Sequence, residues 1–593
     1  MCGLYGALSF DGKTIRSEYA KIMSAKVARR GPDDQGEFYD GPVMLGHRRL
    51  SIIDLSPAGH QPMHDSSGRF SIVFNGTIYN YPELRELLIG KGYQFNSHSD
   101  TEVILNAYAC WGEDFVERLH GMFAFAIWDK QRQSLLLARD RMGIKPLYYA
   151  RSPGGFYFAS NPQALLATGL FATDIDKVGL HHQLSLHAVI PAPRTLIKTI
   201  KKCRPAFTMQ VTPDGKLAER RYWSLSAQRP AAAISAEAWN DAIHDALMQA
   251  VEKRLTIADV PVGVLLSGGL DSSLLVALLA EAGQHDIRTF SIGFEDQPEE
   301  RGNEFEFSDP VAERYATDHQ KFLIPNDEVL TRLPQAVTAM AEPMFGQDAV
   351  AFYLLSEQVA KSVKVVQSGQ GADEVFAGYF WYAQMSEARA EPKLQRFASR
   401  YVDRDHDEFC ETVTPVYRGE DYTSQLIEEN LNTEQADSFL DAVLRFDITT
   451  LIVDDPVKRV DNMTMAWGLE ARVPFLDHQL VELAAACPPE LKLKHQGKGV
   501  LKEIARGRIP DAVIDRPKGY FPMPALKCVR GDFFRFMADT LNSQRSRERG
   551  LFNRAYIDRL LAEPEQNFTR LNGSKLWHSA LLEYWLQQHV DQA

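Results

Sequence analysis

Cysteine is scarce in this sequence, and its spacing excludes some common kinds of site. The 593 residues contain six cysteines, and no two of them are at C-x-x-C spacing. That spacing argues against a zinc site or a dithiol redox centre. Single cysteines scattered along a long chain are typical of a protein in a reducing cytoplasm, where we expect this one to function. The six are Cys2, Cys110, Cys203, Cys410, Cys487 and Cys528.

Two further absences narrow the class of partner. No apolar run reaches the length of a membrane span, and the amino terminus lacks the basic start and apolar core of a signal peptide. Positive charge is not in excess, because 65 lysines and arginines face 78 aspartates and glutamates, which gives a net charge of −13. We therefore expect neither a membrane nor a nucleic acid as a partner. The net charge does not exclude small anionic substrates, because the charge of a binding site depends on the residues around it and not on the whole chain.

The residues that are present predict a globular chain of several domains. Apolar residues make up 45% of the sequence and charged residues 24%, and the length exceeds what one core usually holds. Short strand-like segments with turn signals fill residues 2 to about 210, which predicts an α+β half with antiparallel sheets. A polar, alanine-rich linker follows at Ser226–Ala233. From Glu237 onward, apolar strands alternate with helices, which predicts a parallel, doubly wound sheet, and residues 430–590 are mostly helical.

The most informative stretch is Val264-Leu-Leu-Ser-Gly-Gly-Leu-Asp-Ser-Ser273. It predicts a buried strand, a tight glycine turn and the start of a helix. Free amides at a helix start, with serine hydroxyls beside them, favour a bound phosphate, and the carboxylate of Asp271 is suited to hold Mg2+ against it. The common phosphate loop is excluded, because no lysine follows the second glycine. The segment resembles the pyrophosphate loop of ATP pyrophosphatases, which form an acyl-adenylate and release pyrophosphate.

Cys2 directly follows the initiator methionine. A small second residue permits removal of that methionine, which leaves a residue with both a thiol and a free α-amine. The amine has an ordinary pKa of about 8, so part of it is neutral at physiological pH and can act as the base for the thiol. Taken alone, a cysteine at this position is more simply a coincidence.

Five segments in order change that interpretation, and together they resemble the class II glutamine amidotransferase domain, an N-terminal-nucleophile hydrolase. The resemblance implies that Cys2 attacks the side-chain amide of glutamine and that Asn75 and Gly76 form the oxyanion hole. It also implies that Arg49 binds the α-carboxylate of glutamine and Asp100 its ammonium. The segments are Cys2-Gly3, Arg30–Asp33, Gly46–Ser51, Asn75–Asn80 and Ser99–Glu102.

The sequence departs from that family at one glutamine-binding position. The family usually has a glutamate after the Asn-Gly pair, where it also binds the ammonium of glutamine, and here the residue is Thr77. The change removes one charge-assisted hydrogen bond, so we expect Asp100 to carry the ammonium alone. Weak glutamine binding, or use of ammonia as the main nitrogen source, is the expected consequence.

An amidotransferase domain followed by the glycine loop resembles the layout of glutamine-dependent asparagine synthetase over nearly the whole chain. The resemblance implies a glutaminase domain with an αββα sandwich at 2–212 and an ATP-pyrophosphatase domain at 235–590, the latter with a helical C-terminal part. It implies ATP and Mg2+ as cofactors, an enclosed route for ammonia between the two sites, and a homodimer as one possible assembly. Further matching segments are Ser368–Glu374, Asp461–Asp477, Gly497–Lys502 and Arg516–Lys518.

The same resemblance assigns residues to the second site. Adenylation places negative charge on the leaving pyrophosphate, which Mg2+ held by Asp271 and Asp373 offsets. We favour Lys502 as the lysine close to the reacting acyl-phosphate, with Lys498 as the runner-up. The expected ATP contacts are Leu265, Ser267, Gly268, Gly269, Asp271, Ser272, Ser273, Ile292, Ser368, Gly369 and Lys498.

Two glutamates of the second half receive different interpretations. Glu342 lies where the family has an acidic residue proposed as the general base for ammonia attack. Glu470 is interpreted only as the partner of Arg472 in a buried ion pair that holds the following turn.

The acid that receives the ammonia is predicted from the overall pattern. Three segments look closest to the N-acetylglutaminylglutamine amidotransferases, which amidate a dipeptide carboxylate to form a bacterial osmolyte. They are His187–Arg194, Val457–Met463 and Lys518–Pro522. We therefore expect this dipeptide as the acceptor, with aspartate as the alternative. A tRNA-thiolating or nucleotide-forming pyrophosphatase is disfavoured by the acidic net charge and the glutaminase half, and an inactive scaffold by the presence of the site residues.

Overall fold

A computed structural model describes residues 2–296, 301–346, 348–516 and 529–591 of the chain. Lys518, Cys528 and the segment Lys518–Pro522, on which part of the acceptor prediction depends, lie outside the described residues.

The first part of the chain forms two six-stranded antiparallel sheets. Its strands in chain order are β1 (Gly3–Ser9), β2 (Asp34–Asp40), β3 (Val43–Arg49), β4 (Met63–His64), β5 (Phe70–Ile78), β6 (Gly121–Asp129), β7 (Ser134–Arg139), β8 (Tyr148–Ser152), β9 (Gly155–Ala159), β10 (Ile200–Lys202), β11 (Phe207–Val211) and β12 (Leu217–Arg221). One sheet has the order β10-β8-β9-β1-β3-β2, and the other has the order β12-β11-β7-β6-β5-β4.

Alternation along the strands makes these sheets the two inner layers of a sandwich. Leu4 and Leu8 of β1 lie in the core between the sheets, together with Val73 of β5. Tyr5 and Ala7, on the opposite face of β1, pack in a different core with helical residues. The predicted αββα sandwich is therefore confirmed. Its helices are Ser17–Val27, Tyr81–Gly90, Asp100–Trp111, Pro162–Leu166 and Lys177–Ser185.

The sandwich continues beyond residue 212, the boundary predicted from the sequence. The turn at Asp214-Gly215 joins β11 to β12, which pair along their whole length as a hairpin. The turn therefore belongs to the second sheet. The irregular segment between β12 and the next helix, which begins at Ala236, contains the predicted linker Ser226–Ala233.

The second part of the chain is built on a parallel sheet. Its strands are β13 (Val262–Leu265), β14 (Arg288–Phe294), β15 (Asp318–Ile324), β16 (Val365–Gln367) and β17 (Glu470–Arg472), in the order β15-β14-β13-β16-β17. Each neighbouring pair is parallel, as predicted. The glycine loop follows β13 at the centre of the sheet, and β17 lies at its edge. The helices of this layer are Ala236–Thr256, Leu270–Glu281, Phe305–Arg314, Asn326–Ala339, Asp348–Val359 and Ala372–Val375.

The remaining described residues are mostly helical, which confirms the prediction for this region. These helices are Phe380–Glu387, Lys393–Tyr401, His406–Thr412, Tyr422–Leu431, Phe439–Phe446, Ile452–Asp454, Pro456–Met465, His478–Ala486, Pro489–Leu493, Gly499–Ala505, Asp511–Ile514, Gly531–Asn542, Gln544–Arg549, Arg554–Ala562 and Lys575–His589. Within the described residues, no helix has the length and apolar composition to cross a bilayer.

Candidate functional site

Cys2 lies at the start of β1, where two neighbouring segments hold its backbone. Its main-chain nitrogen donates to Oδ1 of Asn75 at 2.9 Å, and its carbonyl oxygen accepts from Nε of Arg30 at 3.2 Å. Burial raises the pKa of the Cys2 thiol above its ordinary value. The thiol is therefore protonated at neutral pH and needs a base, a role that the α-amine of the same residue can fill once the methionine is removed.

Asn75 and Gly76 on β5 provide donors beside this thiol. The Nδ2 atom of Asn75 is buried and has no hydrogen-bond partner among the described residues. A side chain at Gly76 would place its Cβ 2.1 Å from the carbonyl oxygen of Met122, so only glycine fits there. An unused amide donor next to a nucleophile matches the need of an oxyanion hole.

Arg49 lies in the same small cavity as Cys2 and is held by main-chain carbonyls. Its guanidinium donates to the oxygens of Ile53 and Ser56 at 3.3 Å each, and also to that of Asp54. These contacts fix the plane of a cation in a cavity that also contains the nucleophile. A guanidinium held in one plane can bind a carboxylate through two of its nitrogens.

Asp100 is not among the described residues that line this cavity, although Thr77 is. Its Oδ2 accepts from the main-chain nitrogen of Ile78 at 3.0 Å, and burial raises its pKa to about 6. The residues that do line the cavity are Cys2, Arg49, Leu50, Ile52, Ile53, Gln61, Phe74, Gly76, Thr77, Thr101 and Glu470.

Glu470 was not predicted in this cavity, and it comes from the second half of the chain. Its Oε1 accepts from Nε of Arg472 at 2.5 Å, which agrees with the predicted ion pair, and also from Oγ1 of Thr77 at 3.3 Å. The interpretation of Glu470 as only a structural residue is therefore incomplete. The sequence signal for its position is weak, because β17 has three residues and pairs with the sheet rather than with β5.

Asp100→Asn is expected to remove a pH-dependent component of stability. Burial raises the pKa of Asp100 to about 6 in the folded chain, so the folded state binds this proton more tightly than the unfolded state. Protonated Asp100 stabilises the folded chain fully below the unfolded pKa of about 4, and this stabilisation is lost as the pH rises through about 6. The loss amounts to roughly 2–3 kcal/mol of unfolding free energy. Denaturant unfolding of both proteins at about pH 4 and about pH 7 measures it. An equal difference between them at both pH values would contradict this assignment.

The glycine loop after β13 adopts a conformation that its sequence requires. Gly268 has a φ of +73°, and a Cβ there would lie 2.7 Å from the main-chain nitrogen of Ser308. The main-chain nitrogen of Gly269 donates to Oγ of Ser267 at 3.3 Å. The helix Leu270–Glu281 then begins with its first amides at the loop, as predicted.

The serines of the loop have different roles. Oγ of Ser272 accepts from the main-chain nitrogen of Ser267 at 3.2 Å and donates to the carbonyl oxygen of Gly269 at 3.3 Å, which closes the loop. Ser267 and Ser272 line the cavity beside the loop. The side chain of Ser273 is fully buried and is not among the lining residues, so an ATP contact through its hydroxyl has no support.

Lys498 joins the two carboxylates that were predicted to hold a metal. Its Nζ lies 2.5 Å from Oδ2 of Asp271 and 2.9 Å from Oδ1 of Asp373. Burial alone would lower the pKa of Lys498, but the two carboxylates outweigh it and raise that pKa. Gly378 permits this approach, because a Cβ there would lie 2.3 Å from Cε of Lys498.

Lys502 lies elsewhere, one helical turn farther along. Its Nζ donates to the main-chain oxygen of His495. Neither lysine is among the residues that line the cavity, but Lys498 contacts two carboxylates that do line it. The structure therefore places Lys498, the predicted runner-up, at the two carboxylates and does not bring Lys502 to them.

The cavity beside the loop has a volume of about 190 Å³. It brings together the expected residues Leu265, Ser267, Asp271, Ser272, Ile292, Ser368, Gly369 and Asp373. Asp271 and Asp373 offer the carboxylate oxygens that Mg2+ prefers, so the donor set fits this ion. Gln370 and Glu374 of the matching segment Ser368–Glu374 also line the cavity, as does Tyr379. Asp348 lines it too and was not predicted there.

A second cavity, of about 300 Å³, adjoins the first and shares Asp348, Glu374 and Tyr379 with it. Arg459 is a cation in its wall and lies 2.7 Å from Asp455 and 3.1 Å from Asp348. The cavity also has an aromatic lining of Phe345, Tyr379, Trp381, Tyr401, Trp577 and His578. We call it the acceptor cavity, because its place beside the first cavity suits a second substrate.

Glu342, the predicted general base, lies in a buried cluster away from both cavities. Its Oε2 is 2.9 Å from Nζ of Lys202 and 3.5 Å from Nζ of Lys458, and its Oε1 accepts from the main-chain nitrogen of Leu196. Lys202 belongs to β10 of the sandwich, so this cluster joins the two halves of the chain. The geometry does not bring Glu342 to the glycine loop.

Comparison with known proteins finds two family models along the chain. The family model described as Glutamine amidotransferase domain matches residues 1–223, and the one described as Asparagine synthase matches residues 242–587. The chain is 32% identical to Asparagine synthetase [glutamine-hydrolyzing] 1 of Bacillus subtilis (strain 168), over 100% of this chain and 97% of that protein. It is 30% identical to Asparagine synthetase [glutamine-hydrolyzing] 3 of the same organism, over 96% and 94%. It is 27% identical to Amidase chyE of Penicillium rubens, over 88% and 89%.

One of these family models covers more than half of the chain, and relatives of at least 30% identity match it over almost its whole length. The chain therefore belongs to the asparagine synthase family, which consists of ATP-dependent ligases that form carbon–nitrogen bonds with glutamine as the amido donor.

Proposed function

We propose that Cys2 hydrolyses glutamine and that the released ammonia amidates an acyl-adenylate formed beside the glycine loop. The observation that carries this proposal is the contact of Lys498 with Asp271 and Asp373 next to an adjoining acceptor cavity. That arrangement gives a place for the triphosphate, a metal-ligand pair and a second substrate in one region.

In the first half-reaction, the thiol of Cys2 gives its proton to the α-amine of the same residue and attacks the side-chain carbonyl of glutamine. Nδ2 of Asn75 and the main-chain N–H of Gly76 donate to the oxygen as it becomes negative. The α-ammonium returns the proton to the departing nitrogen, ammonia leaves, and water then releases glutamate from the thioester. Arg49 binds the α-carboxylate of the substrate through two of its guanidinium nitrogens.

In the second half-reaction, the acceptor carboxylate attacks the α-phosphorus of ATP and pyrophosphate leaves. Mg2+, when bound, supplies positive charge that offsets the charge on the pyrophosphate. Lys498 keeps its proton and supports the same charge, because its neighbours raise its pKa. Ammonia then attacks the acyl carbon, AMP leaves, and the amide is released.

Ammonia must pass between the two sites without loss to water. The two halves meet through buried ion pairs, of which Arg30 with Asp461 at 2.9 Å and Lys202 with Glu342 at 2.9 Å are examples. We expect the ammonia route to run through this buried interface. In this arrangement Glu342 helps to hold the halves together rather than acting as the base.

We propose the dipeptide N-acetylglutaminylglutamine as the acceptor. A cavity of about 300 Å³ with an aromatic lining suits an extended molecule with amide groups better than a single amino acid. Aspartate is the alternative, and the comparisons favour it, because relatives that match almost the whole chain are named asparagine synthetase. Arg459, with Asp348 and Asp455 beside it, would then bind the α-carboxylate and the α-ammonium of aspartate.

One assay distinguishes the two acceptors. Purified protein with ATP, Mg2+ and glutamine receives each acid singly, and pyrophosphate and the amide product are measured, the latter by mass. We expect release of pyrophosphate and formation of the amide with the dipeptide. Pyrophosphate that depends on aspartate, with no dipeptide product, would replace the first acceptor by the second.

A further inference from the structure

We propose that Glu470, a residue of the parallel sheet in the second half, binds the α-ammonium of glutamine in the first site. This inference rests on the proposed glutaminase function and assigns to Glu470 the role that a glutamate at position 77 usually has in the resembling family. Three observations carry it: the place of Glu470 in the cavity, the contacts that fix it, and its charge.

Glu470 lines the same cavity as Cys2, Arg49 and Thr77. Among the described residues that line this cavity, Glu470 is the one acidic residue. Glutamine bound with its side-chain amide at Cys2 and its α-carboxylate at Arg49 has its α-ammonium in the same small space. That ammonium needs an acceptor, because a buried charge without a partner is costly.

The carboxylate of Glu470 is fixed before any substrate arrives. Oε1 accepts from Nε of Arg472 at 2.5 Å and from Oγ1 of Thr77 at 3.3 Å. Arg472 is itself anchored, because its Nη1 donates to the main-chain oxygens of Arg254 and Ile257 at 2.8 Å each. A carboxylate has about four acceptor positions, so the contacts with Arg472 and Thr77 do not by themselves exclude a donor from the substrate.

Thr77 takes a specific part in this arrangement. A glutamate at position 77 would put a second negative charge next to Glu470, whereas the hydroxyl of Thr77 donates a hydrogen bond to it. With threonine at position 77, the negative charge at this wall of the cavity comes from Glu470 on β17 and not from β5.

Glu470 is also more completely ionised at neutral pH than Asp100, the other acidic candidate. Burial would raise its pKa, but the guanidinium of Arg472 outweighs burial and lowers that pKa to about 2. Asp100 is different, because burial raises its pKa to about 6 and its Oδ2 accepts from the main chain at Ile78. At neutral pH, Glu470 is therefore the fixed negative charge in the cavity wall.

The position of Glu470 on the edge strand β17 couples the two halves. The ammonium subsite is complete only when this edge lies against β5, where Thr77 is placed. Glutamine is thus bound by residues of both halves, and the first half alone lacks one of its charges.

The test compares glutamine with glutaramate, which has the same amide and carboxylate but no α-ammonium. Glu470→Gln keeps the size of the side chain and removes its charge. We expect the KM for glutamine to rise roughly 10- to 100-fold, as for the loss of one charged hydrogen bond, while the KM for glutaramate changes little. The preference for glutamine over glutaramate should fall by the same factor.

Two further proteins make the result specific. The double variant Thr77→Glu with Glu470→Gln returns the charge to position 77 and should restore most of the preference for glutamine. Asp477→Asn is the matched control: Asp477 is a buried, arginine-paired carboxylate seven positions later that does not line the cavity. We expect its preference to equal that of the wild type.

Synthesis from ammonia, measured in every variant, separates this inference from the proposed function. A preference unchanged in Glu470→Gln, with synthesis from ammonia intact, would overturn the role of Glu470 and leave the function standing. An equal loss with glutamine, glutaramate and ammonia, with no rescue by Thr77→Glu, would show that Glu470 is only structural. A wild-type protein without glutaminase activity would overturn the proposed function itself.

Discussion

Cys2→Ala is expected to abolish the use of glutamine and to spare the use of ammonia. The variant lacks the nucleophile, so glutamine-dependent amide formation should fall by on the order of 10³-fold or more. Synthesis from ammonium salts should continue, because Lys498, Asp271 and Asp373 belong to the other site and are unchanged. The amide product is measured with each nitrogen source at saturating ATP.

Cys203→Ala is the matched control for this variant. Cys203 is also a buried cysteine of the sandwich, but it packs in the core between the sheets and does not line the cavity of Cys2. We expect it to keep glutamine-dependent synthesis. If Cys2→Ala lost synthesis from both nitrogen sources while remaining folded, the two-site mechanism would be refuted.

Lys498→Met is expected to have the second large effect, this time on adenylation. The variant removes the cation that contacts Asp271 and Asp373, so charge on the leaving pyrophosphate is stabilised less. Loss of one such group in a water-poor site typically costs about 10²- to 10³-fold in rate. Acceptor-dependent pyrophosphate release measures the change, and glutaminase activity at Cys2, assayed separately, should persist.

Lys502→Met is the natural comparison, because the same type of residue lies four positions later on the helix. Lys502 contacts the main-chain oxygen of His495, whereas Lys498 contacts Asp271 and Asp373, so we expect the adenylation rate of Lys502→Met to stay within a few-fold of the wild type. A large loss in Lys502→Met together with a small loss in Lys498→Met would restore the assignment made from the sequence.

Much of the fold was predictable because periodic patterns and turn residues encode it locally. Ser134–Arg139, Gly155–Ala159 and Arg288–Phe294 form strands in the two regions where the sequence predicts them. Two other strands, Asp34–Asp40 and Asp318–Ile324, are harder to recognise in the sequence. Both are partly exposed and rich in polar residues, so their hydrophobic alternation is weak.

The two sites were recognisable from the sequence for a similar reason. Cys2, Asn75 and Gly76 belong to short motifs, and so do Ser267 and Asp271, because the backbone turn and the reactive groups occupy neighbouring positions. The choice between Lys498 and Lys502 was not recognisable in this way. Both lie on one short segment, and only the approach permitted by Gly378 brings the first of them to the two carboxylates.

The sequence by itself determined the two chemical centres, since each depends on residues close together in the chain. Only the tertiary structure decided which distant residues complete them. It brought Glu470 to the cavity that contains Cys2. It also brought Lys498 to Asp271 and Asp373, and it placed Glu342 between the two halves. The physical reason is that charges act through space: an edge strand 393 positions away from Thr77 can supply the carboxylate that its own strand lacks.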